Sequence, residues 1–377
     1  MPKFYASTSK GLAEVLKAEL EGLGLKVLET DRMGCLFESP WSGCFKANLY
    51  SRLATRISLP VLDFSAYKEE EIYNNLSKHD FTKYLGPDQS LMIKASLGQS
   101  SIRDQRMVAL KAKDAIVDQF WKKFDRRPDV EKDKPDIRIF IHGFKNQFTV
   151  AVDTSGKSLS ERGYRKDGGE APLREHLAAG ILDLMKWDHK TPIIDPMCGS
   201  GTFLIEAALK AAKIAPGTSH TKFAFQNFSH VNSEEWEGML DQAISEEVED
   251  MPVMFYGYDK DGRALDGARR NAERAGVDHM ISFQRRNADV FEPPEEVEKG
   301  IILTNPPYGI RLGDEFFLEE LYKNFSHQLK TNCKGWDLWV LSGNAELTKH
   351  LRMKSTNRWQ VYNGNLDCRL INYKLNQ

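Results

Sequence analysis

From residue 172 onward, strand-like segments alternate with segments of helical periodicity, and this constrains the fold more than any other feature of the chain. Strands are predicted at 191–195, 253–259, 281–284, 300–305 and 336–342, and helices at 203–212, 264–275 and 316–329. Repeated strand–helix units specify a mostly parallel sheet wrapped by helices, an α/β Rossmann-like architecture. The end of the chain differs. Residues 359–362 and 368–373 flank Asn363-Gly364-Asn365, a hairpin signature that adds antiparallel strands to the sheet edge.

At 377 residues the chain exceeds what one core supports, roughly 250–300 residues, so more than one domain is expected. Residues 1–60 read as a small α+β unit: a strand at 3–7, a helix around Leu12 to Leu20, two strands about a turn at 31–34, and a helix at 41–53. Residues 61–165 form a second unit. It has a strand at 91–96, a helix from about 102 to 124, a proline-bounded loop at 127–135 and a hairpin at 137–152. Residues 160–171 are polar and rich in Gly and Arg, a hinge into the third unit, 166–377.

Ligands of a doubly wound sheet sit beyond the carboxyl ends of its strands. The first such end is Asp195-Pro196-Met197-Cys198-Gly199-Ser200-Gly201-Thr202. Its glycines let backbone approach a ligand, and the helix that follows presents free N–H groups. A dinucleotide fingerprint is not met, because Gly199 and Gly201 are followed by no third glycine. An acid before the glycines fits pyrophosphate poorly. It fits a cationic ligand such as S-adenosylmethionine, whose sulfonium and amino groups are both positive. The second end, Asp259-Lys260, offers a carboxylate for two ribose hydroxyls, although an Asp there can equally cap a helix. The third, Asn287-Ala288-Asp289, places an acid that either accepts from an adenine amino group or caps a turn. The fourth is Asn305-Pro306-Pro307-Tyr308. Two prolines remove two donors and fix the backbone, so the Asn305 amide oxygen and the Pro306 carbonyl can accept both N–H bonds of an exocyclic amine. Tyr308 can stack on a planar base. Asn305, Pro306, Pro307 and Tyr308 are therefore the candidate catalytic residues.

Composition excludes several classes. No run of about 18 apolar residues exists, and the N-terminus has no apolar stretch of a secretory signal, so a cytoplasmic protein is expected. The five cysteines, at 35, 44, 198, 333 and 368, form no C-x-x-C pair, so neither a disulfide framework nor a metal site is expected. The net charge of −2 does not point to nucleic acid, but residues 94–127 carry nine Lys/Arg against four Asp. That excess either faces phosphates or forms a solvated helix face.

At the glycine turn and the Asn-Pro-Pro-Tyr tetrad the chain resembles class I S-adenosylmethionine-dependent methyltransferases of the amino-methylating kind. Asp153-Thr154-Ser155-Gly156, Arg162-Gly163-Tyr164-Arg165 and Ala171-Pro172-Leu173-Arg174-Glu175 resemble the end of a THUMP domain and its junction with the methyltransferase. The first unit resembles the ferredoxin-like domain that precedes THUMP. The whole pattern is similar to the bacterial 23S ribosomal RNA guanine-N2 methyltransferases of the large-subunit type. The resemblance implies that Asp195 and the glycine turn hold the methionine part of the cofactor, Asp259 the ribose and Asp289 the adenine, and that the tetrad holds a guanine. It implies RNA as the partner, for which the basic run offers Lys94, Arg103, Arg106 and Lys111, and the junction Arg162 and Arg165, as expected contacts.

Two departures stand out. Some members carry a second methyltransferase domain, and this sequence has one, so a single modification is expected. Ile310 also stands where an acid is more usual, which leaves the partner of Arg311 open. The alternatives are a tRNA guanine-N2 methyltransferase with the same modules, or a non-catalytic RNA-binding or ribosome-assembly protein. Intact Asp195, Asp259 and Asn305 argue against the latter.

Overall fold

A computed structural model describes residues 1–166, 173–228, 230–249, 251–307 and 315–375. Two sheets organise it. The first has eight strands, in the order β2-β3-β1-β4-β8-β7-β5-β6. Its members are β1 (Lys3–Ser7), β2 (Lys26–Thr30), β3 (Gly34–Glu38), β4 (Arg56–Ser65), β5 (Ser90–Gly98), β6 (Asp129–Val130), β7 (Ile137–Phe144) and β8 (Gln147–Asp153). Helices α1 (Ala13–Gly22), α2 (Trp41–Tyr50), α3 (Glu69–Leu76) and α4 (Gln105–Phe124) accompany it.

The expected boundary at 60/61 falls inside β4. That strand pairs with β1 through residues 56–58 and with β8 through residues 58–65, so the first two units share one continuous sheet. The loop read at 127–135 contributes the two-residue strand β6. The helix expected from 102 begins at Gln105, because the Asp104 side chain caps it by accepting from the N–H groups of Arg106 and Met107.

The second sheet has seven strands. They are β9 (Ile193–Asp195), β10 (Phe255–Asp259), β11 (Ile281–Arg285), β12 (Ile301–Thr304), β13 (Asp337–Ser342), β14 (Ser355–Asn363) and β15 (Leu366–Lys374), in the order β11-β10-β9-β12-β13-β15-β14. The first five in that order are parallel, and the terminal hairpin is antiparallel, as the sequence pattern requires. Around the sheet lie α5 (Glu175–Leu184), α6 (Thr202–Ala211), α7 (Ser233–Ser245), α8 (Gly262–Ala275), α9 (Glu315–Asn332) and α10 (Ala345–Lys349). The chain winds one way from β9 to β11 and the other way from β12 onward. The carboxyl ends of β9 and β12 therefore flank the switch point where a crevice opens.

The segment between α6 and β10 leaves the second sheet and packs on the first. Phe225 lies 4.8 Å, ring to ring, from Phe45 of α2, and Trp236 of α7 stands edge-on to Phe223 and Phe225. Its aromatics thus pack into the core of the N-terminal half. Arg52, just beyond α2, donates to the carbonyls of Leu209 and Ile214 and ties the halves together from the other side. Among the described residues no helix is long and apolar enough to cross a membrane, and no cluster of three His, Cys, Asp or Glu could hold a metal ion.

Candidate active site

Asp195 ends β9 and is 2% exposed. Its Oδ1 accepts from the Thr304 hydroxyl at 2.7 Å and from the Met197 N–H at 3.1 Å. Burial outweighs these donors and lifts its carboxyl to about 7. Thr304 is the last residue of β12, so this bond clamps the two strands that border the crevice and sets Asn305 next to the acid.

The turn after Asp195 is pinned to β10. The Cys198 N–H donates to the Tyr258 carbonyl at 2.9 Å, and the Gly199 N–H donates to Asp259 Oδ2 at 2.9 Å. Asp259 Oδ1 accepts from the Asp261 N–H at 2.9 Å, which leaves each oxygen a lone pair for a hydroxyl. Gly201 has φ +78°, and a Cβ there would lie 3.2 Å from Ala268 Cβ and from the Phe283 ring. Gly199 also has positive φ, but a Cβ there would meet nothing within 4 Å, so the turn is bare on the side where backbone can approach a ligand. Pro196 and Thr202 are buried, and Met197 and Ser200 are half-buried. Cys198 is 7% exposed, and burial, together with the charges of Asp195 and Asp259, pushes its thiol well up, so it acts as a small apolar residue.

At the third strand end Asn287 and Asp289 hold each other. Asn287 Nδ2 donates to Asp289 Oδ2 at 3.0 Å, and the Asp289 N–H donates to Asn287 Oδ1 at 3.3 Å. Asp289 Oδ1 is buried and has no partner, an acceptor that fits an adenine amino group. Ala288 is buried beside it, while Lys260 is exposed, its ammonium 4.6 Å from the centre of the Phe317 ring. At the fourth end Asn305 Oδ1 is likewise buried without a partner. Pro306 is buried, and the Pro307 carbonyl accepts from the Tyr322 hydroxyl at 3.5 Å. Tyr308, Ile310 and Arg311 lie outside the described residues. Asp195, Asp259, Asp289 and Asn305 thus all stand at strand ends of one sheet, and Gly199 and Thr304 link the first, second and fourth by direct hydrogen bonds.

The expected RNA contacts divide. Lys94, Arg103 and Arg106 are exposed and Lys111 is half-buried. Arg162 is 3% exposed and turned inward, so its expected RNA contact is corrected. Its guanidinium donates to the carbonyls of Leu159 and Arg52 and lies 3.8 Å from the fully buried Glu206. Arg165 is corrected in the same sense. It donates to the Leu173 carbonyl and to Thr202 Oγ1 at 2.9 Å, with Glu175 at 3.4 Å. It therefore buttresses the helix start after the glycine turn. Sequence reasoning missed this buttress and Thr304. A hydroxyl immediately before the Asn-Pro-Pro-Tyr tetrad was the available signal for Thr304.

Comparison with known proteins agrees with this architecture. Residues 3–58 match the RlmL ferredoxin-like domain, residues 66–153 the THUMP domain and residues 162–372 the RMKL-like methyltransferase domain. The ribosomal RNA large subunit methyltransferase K/L of Syntrophotalea carbinolica is 37% identical over 99% of this chain. The chain spans about half the length of such curated relatives, 53% in that case. Among solved structures, a "possible methylase" from Clostridium difficile 630 superposes with a TM-score of 0.90 at 30% identity, covering 99% of this chain and 98% of that one. SMU.472 complexed with SAH superposes with a TM-score of 0.91 at 30% identity, covering 100% of this chain and 98% of that one. With the three domain matches in register along one polypeptide, the chain belongs to the RMKL-like methyltransferase family, in the form that carries RlmL ferredoxin-like and THUMP domains.

Proposed function

We propose that the chain methylates the exocyclic N2 of a guanine in 23S ribosomal RNA, with S-adenosylmethionine as methyl donor. The observation that carries this reading is Asn305 Oδ1, a buried acceptor with no partner at the switch point of the sheet. A buried acceptor left unmet costs about 1–3 kcal/mol, and an exocyclic –NH2 offers the missing donor. A relative's role on large-subunit ribosomal RNA and the SAH bound in SMU.472 support the same reading.

When bound, S-adenosylmethionine supplies a methyl group on a positively charged sulfur. Asp195 and the turn at 196–202 would hold its amino-acid end, Asp259 its ribose hydroxyls and Asp289 its adenine amino group. Asn305 Oδ1 and the Pro306 carbonyl accept the two N–H bonds of the guanine amine and aim its lone pair. So held, the amine lone pair would take the methyl group that the bound donor supplies, the donor being left as a neutral thioether, and one N–H proton of the amine would pass to solvent. No strong base is needed, because positioning alone can supply ~7–11 kcal/mol. Tyr308 follows in sequence as the stacking partner of the base. Lys94, Arg103, Arg106 and Lys111, on β5 and around the start of α4, take the phosphates.

The test is nucleoside mass spectrometry after incubating the full chain with methyl-labelled S-adenosylmethionine and, separately, unmodified 23S rRNA and tRNA. Labelled N2-methylguanosine in the 23S fraction is expected. Label confined to tRNA, or carried by another nucleoside, would overturn the assignment.

A further inference from the structure

A cleft of about 580 Å3 opens in the first sheet, away from the methyltransferase crevice. Its origin lies in the sheet itself. β1 pairs with β4 only from Tyr5–Ser58 to Ser7–Arg56, and the two strands then part. The next residues of β4 include Pro60, which has no N–H to donate across the gap. A bulge follows, in which Val61 has no partner in the register with β8. Pro60 and Val61 line one wall, and Lys3 of β1 lines the other.

The remaining walls come from three parts of the chain. Trp41 opens α2, Lys83 and Tyr84 belong to the THUMP half, and His230 belongs to the segment sent back from the methyltransferase half. Trp41 stands edge-on to Phe4, Phe228 and His230, and the His79 ring lies parallel to Tyr84 at 5.7 Å, its Nε2 3.1 Å from the Tyr84 hydroxyl. The aromatic rings are thus held in fixed orientations at the cleft. Lys3 and Lys83 are exposed and make no ion pair among the described residues. Glu38 is paired with Lys26, and Asp80 with Thr82 and, at 3.9 Å, Lys123. Lys123 also donates to Thr82 Oγ1, which joins Lys83 to the basic C-terminal end of α4.

We propose that this cleft holds an unpaired nucleotide of the RNA substrate, its base against Tyr84 and Trp41 and its phosphates on Lys3 and Lys83. This rests on the reading of the substrate as RNA. The volume suits a ligand of nucleotide size. Fixed aromatic rings beside lysines are the pairing that single-stranded nucleic acid requires, stacking for the base and charge for the backbone. An apolar helix fits less well, because lysines rim the cleft and a broken strand ladder walls it. A duplex fits less well because its bases are already stacked.

The test measures binding of the full chain to a short single-stranded oligoribonucleotide and to a blunt RNA duplex of the same length, by fluorescence anisotropy. Tyr84→Leu and Lys83→Glu are each expected to weaken the single strand about tenfold and to leave the duplex nearly unchanged. The loss from Lys83→Glu should fade at high salt, and that from Tyr84→Leu should persist. S-adenosylhomocysteine affinity serves as the folding control. Should Tyr84→Leu misfold, photocrosslinking of a 4-thiouridine oligonucleotide to the wild-type chain is expected at Trp41 or Tyr84. Unchanged single-strand affinity in both variants, equal losses on the duplex, or crosslinks confined to other regions would each overturn the proposal. None of these measurements needs turnover. A wild-type chain that forms N2-methylguanosine but whose cleft variants bind normally refutes the cleft alone.

Discussion

Thr304→Val removes one hydroxyl and keeps the shape of the side chain. That hydroxyl donates to Asp195 Oδ1 at 2.7 Å in a site where both residues are buried. A hydrogen bond to a charged acceptor contributes about 1.5–3 kcal/mol, and one pKa unit corresponds to about 1.4 kcal/mol. The Asp195 carboxyl, already raised to about 7 by burial, should therefore rise by about one to two further units. A cationic ligand needs the ionised form, so affinity is present above the pKa and lost as pH falls through it. At pH 7 about half of the wild-type carboxyl is ionised, against roughly 1–10% in the variant, which predicts a Kd weaker by roughly 5- to 50-fold. Calorimetric titration with S-adenosylmethionine across pH 6 to 10 reads this directly. The variant's curve should be displaced to higher pH and should approach wild type at the alkaline end, with Thr304→Ser close to wild type throughout. A loss of the same size at every pH would show that the hydroxyl does not act through the ionisation of Asp195, and the reasoning would fail.

Four further outcomes are expected. Asp195→Asn should abolish cofactor binding yet raise the melting temperature at pH 8. The folded pKa of about 7 exceeds the ordinary carboxylate value of 3.8, so this group's contribution is present below about 4 and lost as pH rises through about 7, with a penalty of about 4 kcal/mol. Calorimetric melts at pH 8 showing no gain would refute this. Asn305→Ala should abolish methyl transfer while leaving S-adenosylmethionine affinity within a few fold, and retained turnover would sink the role given to its amide oxygen. Arg162→Ala leaves Glu206 buried beside a lost partner and should cost about 3–5 kcal/mol in chemical denaturation, while the folded fraction binds RNA normally. Lys94→Glu with Arg106→Glu should weaken RNA binding and flatten the salt dependence by about 1–2 in slope, and an unaltered slope would mark that surface as merely solvated.

The catalytic half was largely legible in the sequence because its signals are local. The strand–helix alternation, the glycine turn and the hairpin at Gly364 each occupy a few contiguous residues, and the structure places β9 to β15 accordingly. What escaped depends on contacts distant in sequence. The fusion of the first two units through β4 is masked by Pro60, which discourages a strand reading although the residue sits beside a bulge. Arg162 and Arg165 look in sequence like any exposed arginines of a polar hinge, and only the fold brings Glu206 and Glu175 to them. Thr304 gains its role from a strand pairing between residues 109 positions apart in the chain. The aromatics at 223–236 likewise pack on a residue far away in sequence, Phe45, and nothing local in the sequence marks that pairing.

That last arrangement bears on the order in which the protein matures. The core of the N-terminal half includes Phe223, Phe225, Phe228 and Trp236, and the Phe225 N–H donates to the Thr154 carbonyl at the end of the first sheet. Chains fold from the N-terminus as they emerge from the ribosome, a domain at a time. Here the first domain pair lacks four of its core rings until β9 and α6 have been synthesised in full and the returning segment has docked. A nascent chain stalled before residue 223 lacks the two rings, Phe225 and Trp236, that pack on Phe45. The N-terminal half therefore reaches its finished form only in company with the start of the methyltransferase half.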